Sequence, residues 1–199
     1  MVEYFNKEAK NWDKKEDTNS ISYNIFSTLA SRIALKSSMD ILDFGCGNGL
    51  LTHRVAPLVK EMVGVDIAQE MINELRAKNA HLTNLSVACQ DILQMPLDRV
   101  FDGIVSSMAM HHVEDTQKLF KTIYDHLKPD GFIALADLDS EDGNFHPAGA
   151  EGVFHDGFDR EHLRSIASSV GFKNIRFYDV MTVKKPHGDY PIFMIIAYK

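Results

Sequence analysis

The sequence predicts an α/β protein whose sheet is mostly parallel and acquires an antiparallel end. Two observations predict the parallel part. From Met39 onward, short apolar runs alternate with amphipathic segments, the pattern of strands and helices taken in turn around a parallel sheet. The first of these runs ends in the glycine-rich stretch "ILDFGCGNGL", where such a sheet hands a strand over to a helix. The antiparallel end is predicted by two late apolar runs joined through "KKPHGDYP", a turn-rich loop short enough for a hairpin-type return.

Residues 1–36 read as helical and precede the first strand, so they are expected outside the sheet as a cap or lid. Tyr4, Phe5 and Trp12 in that segment either close over a ligand or pack a helix on the sheet. Strands are expected near 39–44, 61–66, 84–89, 100–106 and 131–137. Met71, Ile72 and Leu75 mark a helix after the second strand, and Leu119, Phe120, Ile123, Tyr124 and Leu127 mark one before the fifth. Pro129-Asp130-Gly131 is expected to stop that helix and turn the chain into "FIALAD". "DREHLRSIASSVGF" reads as a further helix, with Asp159 as its cap, Leu163, Ile166, Ala167 and Val170 facing inward, and Gly171 as its stop. Strands near 174–183 and 191–198 complete the chain.

A chain of 199 residues, 45% hydrophobic and 25% charged, has the size and composition of one soluble globular domain. No apolar stretch approaches the roughly eighteen residues that a membrane span needs. "MVEYFNKEAKNWDKK" has no apolar core of a secretory signal. Cys46 and Cys89, the two cysteines, suggest neither a disulfide framework nor a metal knuckle, and a cytoplasmic setting is expected. The net charge of -7 argues against a broad grip on nucleic acid, which draws on clustered cations. Lys14-Lys15 and Lys184-Lys185 read as solvated surface.

Gly45, Gly47 and Gly49 fall in five residues, and bare backbone there admits a ligand. Nicotinamide and flavin dinucleotides use G-x-G-x-x-G/A. Here that third position is Leu50, and Asp43 just before the turn would repel a pyrophosphate. A carboxylate at that place suits a cation, such as the amino group of a methionyl moiety. Asp66 follows Asp43 by twenty-three residues at the end of the second strand, where an acid accepts ribose hydroxyls. Asp91 follows the third strand; it either accepts from an adenine amino group, with Ile92 against the ring, or caps a helix.

The succession "LDFGCGNG", "VGVDIAQEMI", "CQDIL", "FDGIVSSMAMHHV" and "LKPDGFIALAD" resembles the class I S-adenosylmethionine-dependent methyltransferases, in particular the small-molecule branch similar to the ubiquinone and menaquinone biosynthesis enzymes. The resemblance covers about residues 39–137. It implies a Rossmann-like three-layer sandwich with a seven-stranded sheet and the last strand inserted antiparallel. It also implies S-adenosylmethionine as cofactor, S-adenosylhomocysteine as product, and contacts at Asp43, Gly45, Cys46, Gly47, Asp66, Ile67, Asp91, Ile92, Ser107 and Met108. Cys46 reads as a small filler with nothing cationic beside it to activate it. On this reading 1–36 is a lid, 39–137 the cofactor-binding half, and 138–199 the acceptor-side loop, helix and terminal strands of a single domain.

Methyl transfer from a sulfonium has a good neutral leaving group, so alignment and water exclusion dominate. A base is needed only where the acceptor loses a proton. His111 and His112, after the fourth strand, are the candidates for that base; the alternative is that one of them packs or bonds backbone at a helix start. His146, His155, Phe154 and Phe158 either line an acceptor pocket or belong to a surface loop, and the spacing of His146, His155 and Asp156 matches no compact metal set. "SSMAMHH" replaces the Asn/Asp-Pro-Pro-aromatic stretch of families that methylate base amino groups, and no Pro-Cys pair is present. A small-molecule acceptor and a monomer or homodimer are therefore expected. RNA or protein methylation, a non-catalytic binding module and a nucleotide-dependent oxidoreductase are the competing readings.

Overall fold

The computed structural model describes residues 1–147 and 149–199. Seven strands form one sheet: β1 (Asp40–Phe44), β2 (Glu61–Asp66), β3 (Leu85–Cys89), β4 (Phe101–Ser107), β5 (Leu127–Leu138), β6 (Lys173–Lys185) and β7 (Gly188–Tyr198). Their order is β3-β2-β1-β4-β5-β7-β6. The pairs β1–β2, β2–β3, β1–β4 and β4–β5 are parallel, and β7 runs antiparallel to both β5 and β6. The last strand is thus inserted antiparallel, as expected, and "KKPHGDYP" contributes to both arms of a tight hairpin.

The helices are α1 (Val2–Glu8), α2 (Glu16–Arg32), α3 (Thr52–Val55), α4 (Gln69–Lys78), α5 (Thr116–Asp125) and α6 (Arg160–Val170). Side chains alternate across a strand, and the strands use both faces. Ile41, Val105, Ala134 and Met194 share a buried cluster with Ile25 and Leu29 of α2 and Val55 of α3. Leu42, Ile104, Ile133 and Ile195 share another with Leu119 and Phe120 of α5 and Leu163 of α6. Helices on both faces make three layers. The Asp159 carboxylate accepts from His162 N–H at 2.7 Å at the start of α6, and Gly171 ends that helix in the left-handed conformation.

The segment expected as a cap or lid has two parts: α2 is a layer of the sandwich, while α1 and the 3-10 segment Ala9–Lys14 lie over α4, where Phe5 and Trp12 pack on Ala68 and Met71; side chains of both parts line the cavity described below. One expectation needs revision. The strand expected from 131 begins at Leu127, ahead of Pro129-Asp130-Gly131, because that tripeptide forms an irregularity inside the strand rather than a turn before it. Leu127 pairs with Phe101 and Phe132 with Gly103, the register shifting between them, and Asp130 takes φ +61.

Candidate active site

The chain reverses its winding at β1, from which β2 and β4 lie on opposite sides, and loops that leave such a point part to form a crevice. A cavity of about 970 Å³ opens there, at the carboxyl ends of the strands. Its floor is the turn after β1. Gly45 has φ +66, and a Cβ there would collide with the Cβ of Ala109 in the loop after β4. Gly47 has φ +52, and a Cβ there would meet nothing within 4 Å. The first glycine therefore lets two loops touch, and the second presents bare backbone to open space.

Carboxylates hold this turn in place. Asp66 accepts from Gly47 N–H and from Ala68 N–H, each at 2.8 Å, so the end of β2 fixes the turn after β1. Burial raises the Asp66 carboxyl while these backbone donors pull it down. Asp43 accepts from the Thr52 hydroxyl at 2.6 Å through Oδ2; its Oδ1 is buried with no protein partner. Burial pushes the Asp43 carboxyl up to about 7, Thr52 opposes this, and the charge of Asp66 adds to the rise. A buried carboxylate oxygen without a donor is costly, and a ligand ammonium is the group that would satisfy it. The residues present thus fit the methionyl end of S-adenosylmethionine. Cys46 is nearly buried, donates its N–H to Val65 O at 3.0 Å and packs with Ile72 and Leu75; burial lifts its thiol well above the usual range. That is an inert filler.

Ile67, Asp91, Ser107 and Met108 line the cavity with these residues. Ile92 does not. It is fully buried in the cluster beneath α5, and Leu93 takes the cavity position instead. The reason is local: Asp91 Oδ1 accepts from Leu93 N–H at 2.9 Å, closing a turn that points Ile92 inward. The bond closes a turn and caps no helix, since none follows before β4, and the same Asp91 borders the cavity. Met108 leaves β4 at φ +57 with its N–H on Ala136 O at 2.9 Å, a strained conformation for a long side chain.

Beyond Met108, the 3-10 turn Met110–His112 carries both candidate histidines. His111 is buried; its Nδ1 donates to Asp137 Oδ1 at 2.7 Å, and its N–H donates to Asp137 Oδ2 at 3.2 Å. Its Nε2 lies 3.2 Å from Nε2 of His146. His112 donates Nδ1–H to Gly152 O at 2.7 Å and sets its ring edge-on to Phe5. Burial and the neighbouring His111 push the His112 imidazole down to about 4. Of the four loop side chains expected at a pocket, His146 lines it. Phe158 is in the core, Phe154 is exposed, and His155 Nε2 donates to Val113 O at 2.9 Å.

Sequence reasoning missed Thr52 and Asp137. Thr52 offered no signal. Asp137, fully buried at the end of an apolar strand, is a charge in a place that demands a partner. Among the described residues no group of three or more His, Cys, Asp or Glu side chains is placed to hold a metal ion.

A doubly wound sheet with β7 inserted antiparallel, and a glycine turn flanked by the carboxylates of Asp43 and Asp66, is the arrangement of class I S-adenosylmethionine-dependent methyltransferases. Residues 41–131 match the family model described as "Methyltransferase domain". An uncharacterised methyltransferase of Schizosaccharomyces pombe is 32% identical over 156 residues, 70% of this chain and 55% of that protein. The malonyl-[acyl-carrier protein] O-methyltransferase of Bacillus anthracis is 26% identical over 140 residues, 69% and 52% of the two chains. The chain therefore spans about half the length of these relatives. In structure it resembles the N-methyltransferase NodS of Bradyrhizobium japonicum in complex with S-adenosylhomocysteine, with a TM-score of 0.77, 17% identity, and coverage of 100% of this chain and 97% of that one. The chain thus carries a methyltransferase domain over residues 41–131, on the fold of the class I S-adenosylmethionine-dependent methyltransferases.

Proposed function

We propose that this chain transfers a methyl group from S-adenosylmethionine to a small molecule by in-line displacement, releasing S-adenosylhomocysteine. The observation that carries the reading is the unpartnered, buried Oδ1 of Asp43 beside a glycine turn that opens into the cavity. S-adenosylmethionine supplies an electrophilic methyl group on a cationic sulfur. Asp43 orients the ammonium, Asp66 offers its remaining lone pairs to the ribose hydroxyls, and Asp91 together with Leu93 borders the adenine end. Gly45, Gly47, Ile67, Ser107 and Met108 supply backbone and shape, and His111 and His112 line the same cavity as candidate bases.

A small acceptor is supported by a cavity of about 970 Å³ and by the net charge of -7, which disfavours RNA. Two free cysteines suit a reducing compartment, in line with a cytoplasmic location. No helix among the described residues is long and apolar enough to cross a membrane.

Calorimetric titration with S-adenosylhomocysteine, S-adenosylmethionine and NADH tests the reading. Micromolar binding of the first two without the third is expected. Binding of NADH alone would favour an oxidoreductase, and binding of none by folded protein would defeat the cofactor assignment.

A further inference from the structure

His111, Asp137 and His146 form a line of hydrogen bonds running from the core to the cavity wall. Asp137 has no exposed surface, and burial alone would raise its carboxyl. Attraction to the positive charge that His111 can take up, its Nδ1–H hydrogen bond, and N–H bonds from Leu138 and His111 more than offset this and hold it below the ordinary range. An ionised carboxylate only accepts, so Nδ1 of His111 carries a proton. At the 3.2 Å contact between His111 Nε2 and His146 Nε2, one nitrogen must donate and the other accept. With His111 neutral, the proton sits on His146 Nε2, leaving Nδ1 of His146 as a base. That atom has no hydrogen-bond partner among the described residues, and its ring lines the cavity.

Building on the methyl-transfer reading above, we propose that His146 and His111 relay a proton from the acceptor to the Asp137 ion pair, and that the acceptor is a hydroxyl on an unsaturated carbon, a phenol or an enol. The acceptor O–H bond breaks toward His146 Nδ1 while an oxygen lone pair forms the bond to the methyl carbon. The carbon–sulfur bonding pair stays on sulfur, which becomes neutral. The His146 Nε2 proton crosses to His111 Nε2, and the positive charge comes to rest beside Asp137. Once product leaves, the proton returns along the same path to solvent.

Three features favour this acceptor. Burial, the largest influence on it, disfavours a charged His146 imidazole, so a sink behind it is needed. His112 is not that sink, because its Nδ1–H is spent on Gly152 O and no carboxylate bonds it. Phe145 sets its ring edge-on to His146, and Ile21, Met108 and Val183 line the same cavity together with the Lys185 ammonium, so an unsaturated body finds apolar surface to lie against. A carboxylate acceptor has no proton to lose, and a neutral amine can lose its proton to solvent after transfer; both would leave the relay idle. The ionisable groups facing the two rings are Asp137 on β5, His112 in the same turn, Asp156 in the loop and Lys185 on β6.

Two measurements test this. In the first, long-range proton–nitrogen correlation spectra of the full chain labelled with [15N]histidine are recorded from about pH 5 to 9, alone and with S-adenosylhomocysteine. His111 should show a strongly downfield Nδ1 proton and His146 the neutral Nε2–H tautomer. Asp137→Asn should remove the downfield proton. His146→Gln, in a loop outside the core, should change the His111 Nε2 chemical shift, because the ring it meets at 3.2 Å is gone. A His111 protonated only at Nε2, or an Nε2 shift indifferent to His146→Gln, would overturn the relay.

The second measurement follows S-adenosylhomocysteine release with para-substituted phenols of pKa about 10 and below, benzoate as the carboxylate control and benzylamine as the amine control. Phenols should be methylated and the controls refused. His146→Gln should cut kcat by about 10²-fold or more at unchanged KM for S-adenosylmethionine, most severely for the least acidic phenols. Methylation of a control with phenols refused, no turnover of any phenol by protein that binds S-adenosylhomocysteine, or an unchanged His146→Gln would each sink the acceptor class. Failure to bind S-adenosylhomocysteine would instead defeat the methyl-transfer reading, while the spectra of the unliganded chain still report on the hydrogen-bond line.

Discussion

Asp43 carries the sharpest consequence of a single side chain. Its folded pKa of about 7 lies above the unfolded value of about 4. Between those values the folded state binds a proton that the unfolded state releases, so this group's contribution to stability falls as pH rises through that window and is level above it. A bound ammonium reverses the preference by favouring the ionised form. Affinity for S-adenosylhomocysteine should therefore rise between about pH 6 and 7.5, and binding near pH 6.5 should release a proton, seen as a dependence of the calorimetric heat on buffer ionisation enthalpy. Asp43→Asn should weaken binding and abolish both effects. A pH-independent affinity in the native protein would contradict the ammonium assignment. The position of Ile92 is another lesson at this scale. Which of two adjacent apolar residues meets the cavity depends on the turn that the Asp91 carboxylate closes, and alternation in the sequence carries no record of it.

Among the elements, the turn after β1 separates two uses of glycine that look alike in sequence. Gly45→Ala meets Ala109 as well as an unfavourable φ, whereas Gly47→Ala meets only the φ, a cost of about 1–2 kcal/mol. Chemical denaturation should show Gly45→Ala as the more destabilised variant, partly rescued by Ala109→Gly. Gly47→Ala should fold well yet lose affinity for S-adenosylhomocysteine, because its methyl group enters the cavity. Equal stabilities would show that the loops shift apart freely. Strands and the longer helices were legible because their apolar periods are local: Met71, Ile72 and Leu75 of α4 and Leu163 and Ala167 of α6 are buried where helical spacing puts them. The start of β5 was not, because Pro129-Asp130-Gly131 carries turn chemistry that neighbouring β4 accommodates as an irregular pairing.

At the scale of the whole molecule, the cavity is walled by segments far apart in the chain. The N-terminal segment is tied to α4 by Asn6 Oδ1, which accepts from Glu70 N–H at 2.9 Å, and by an ion pair of Asp13 with Lys78 at 2.8 Å. Trp12, the single tryptophan of the chain, lines the cavity from there. Its fluorescence should change in intensity or wavelength on saturation with S-adenosylhomocysteine, with a midpoint matching calorimetry. No change at demonstrated saturation would place the ligand away from the N-terminal wall.

The sequence by itself determined the class of fold, the site of the crevice and the carboxylates Asp43 and Asp66, because strand and helix periods, a glycine turn and an acid at a strand end are all written within a few residues. Only the tertiary structure decided that α2 belongs to the core, that Leu93 rather than Ile92 faces the cavity, and that His111 stands between Asp137 and His146. The last of these follows from the pairing of β4 with β5. Ser107 is matched with Ala136, so the turn after β4 ends beside Asp137, and a loop returning after β5 lays His146 on top. Such pairings are set by strand register and loop packing across 26 and 35 residues, distances over which a linear pattern holds no geometric information.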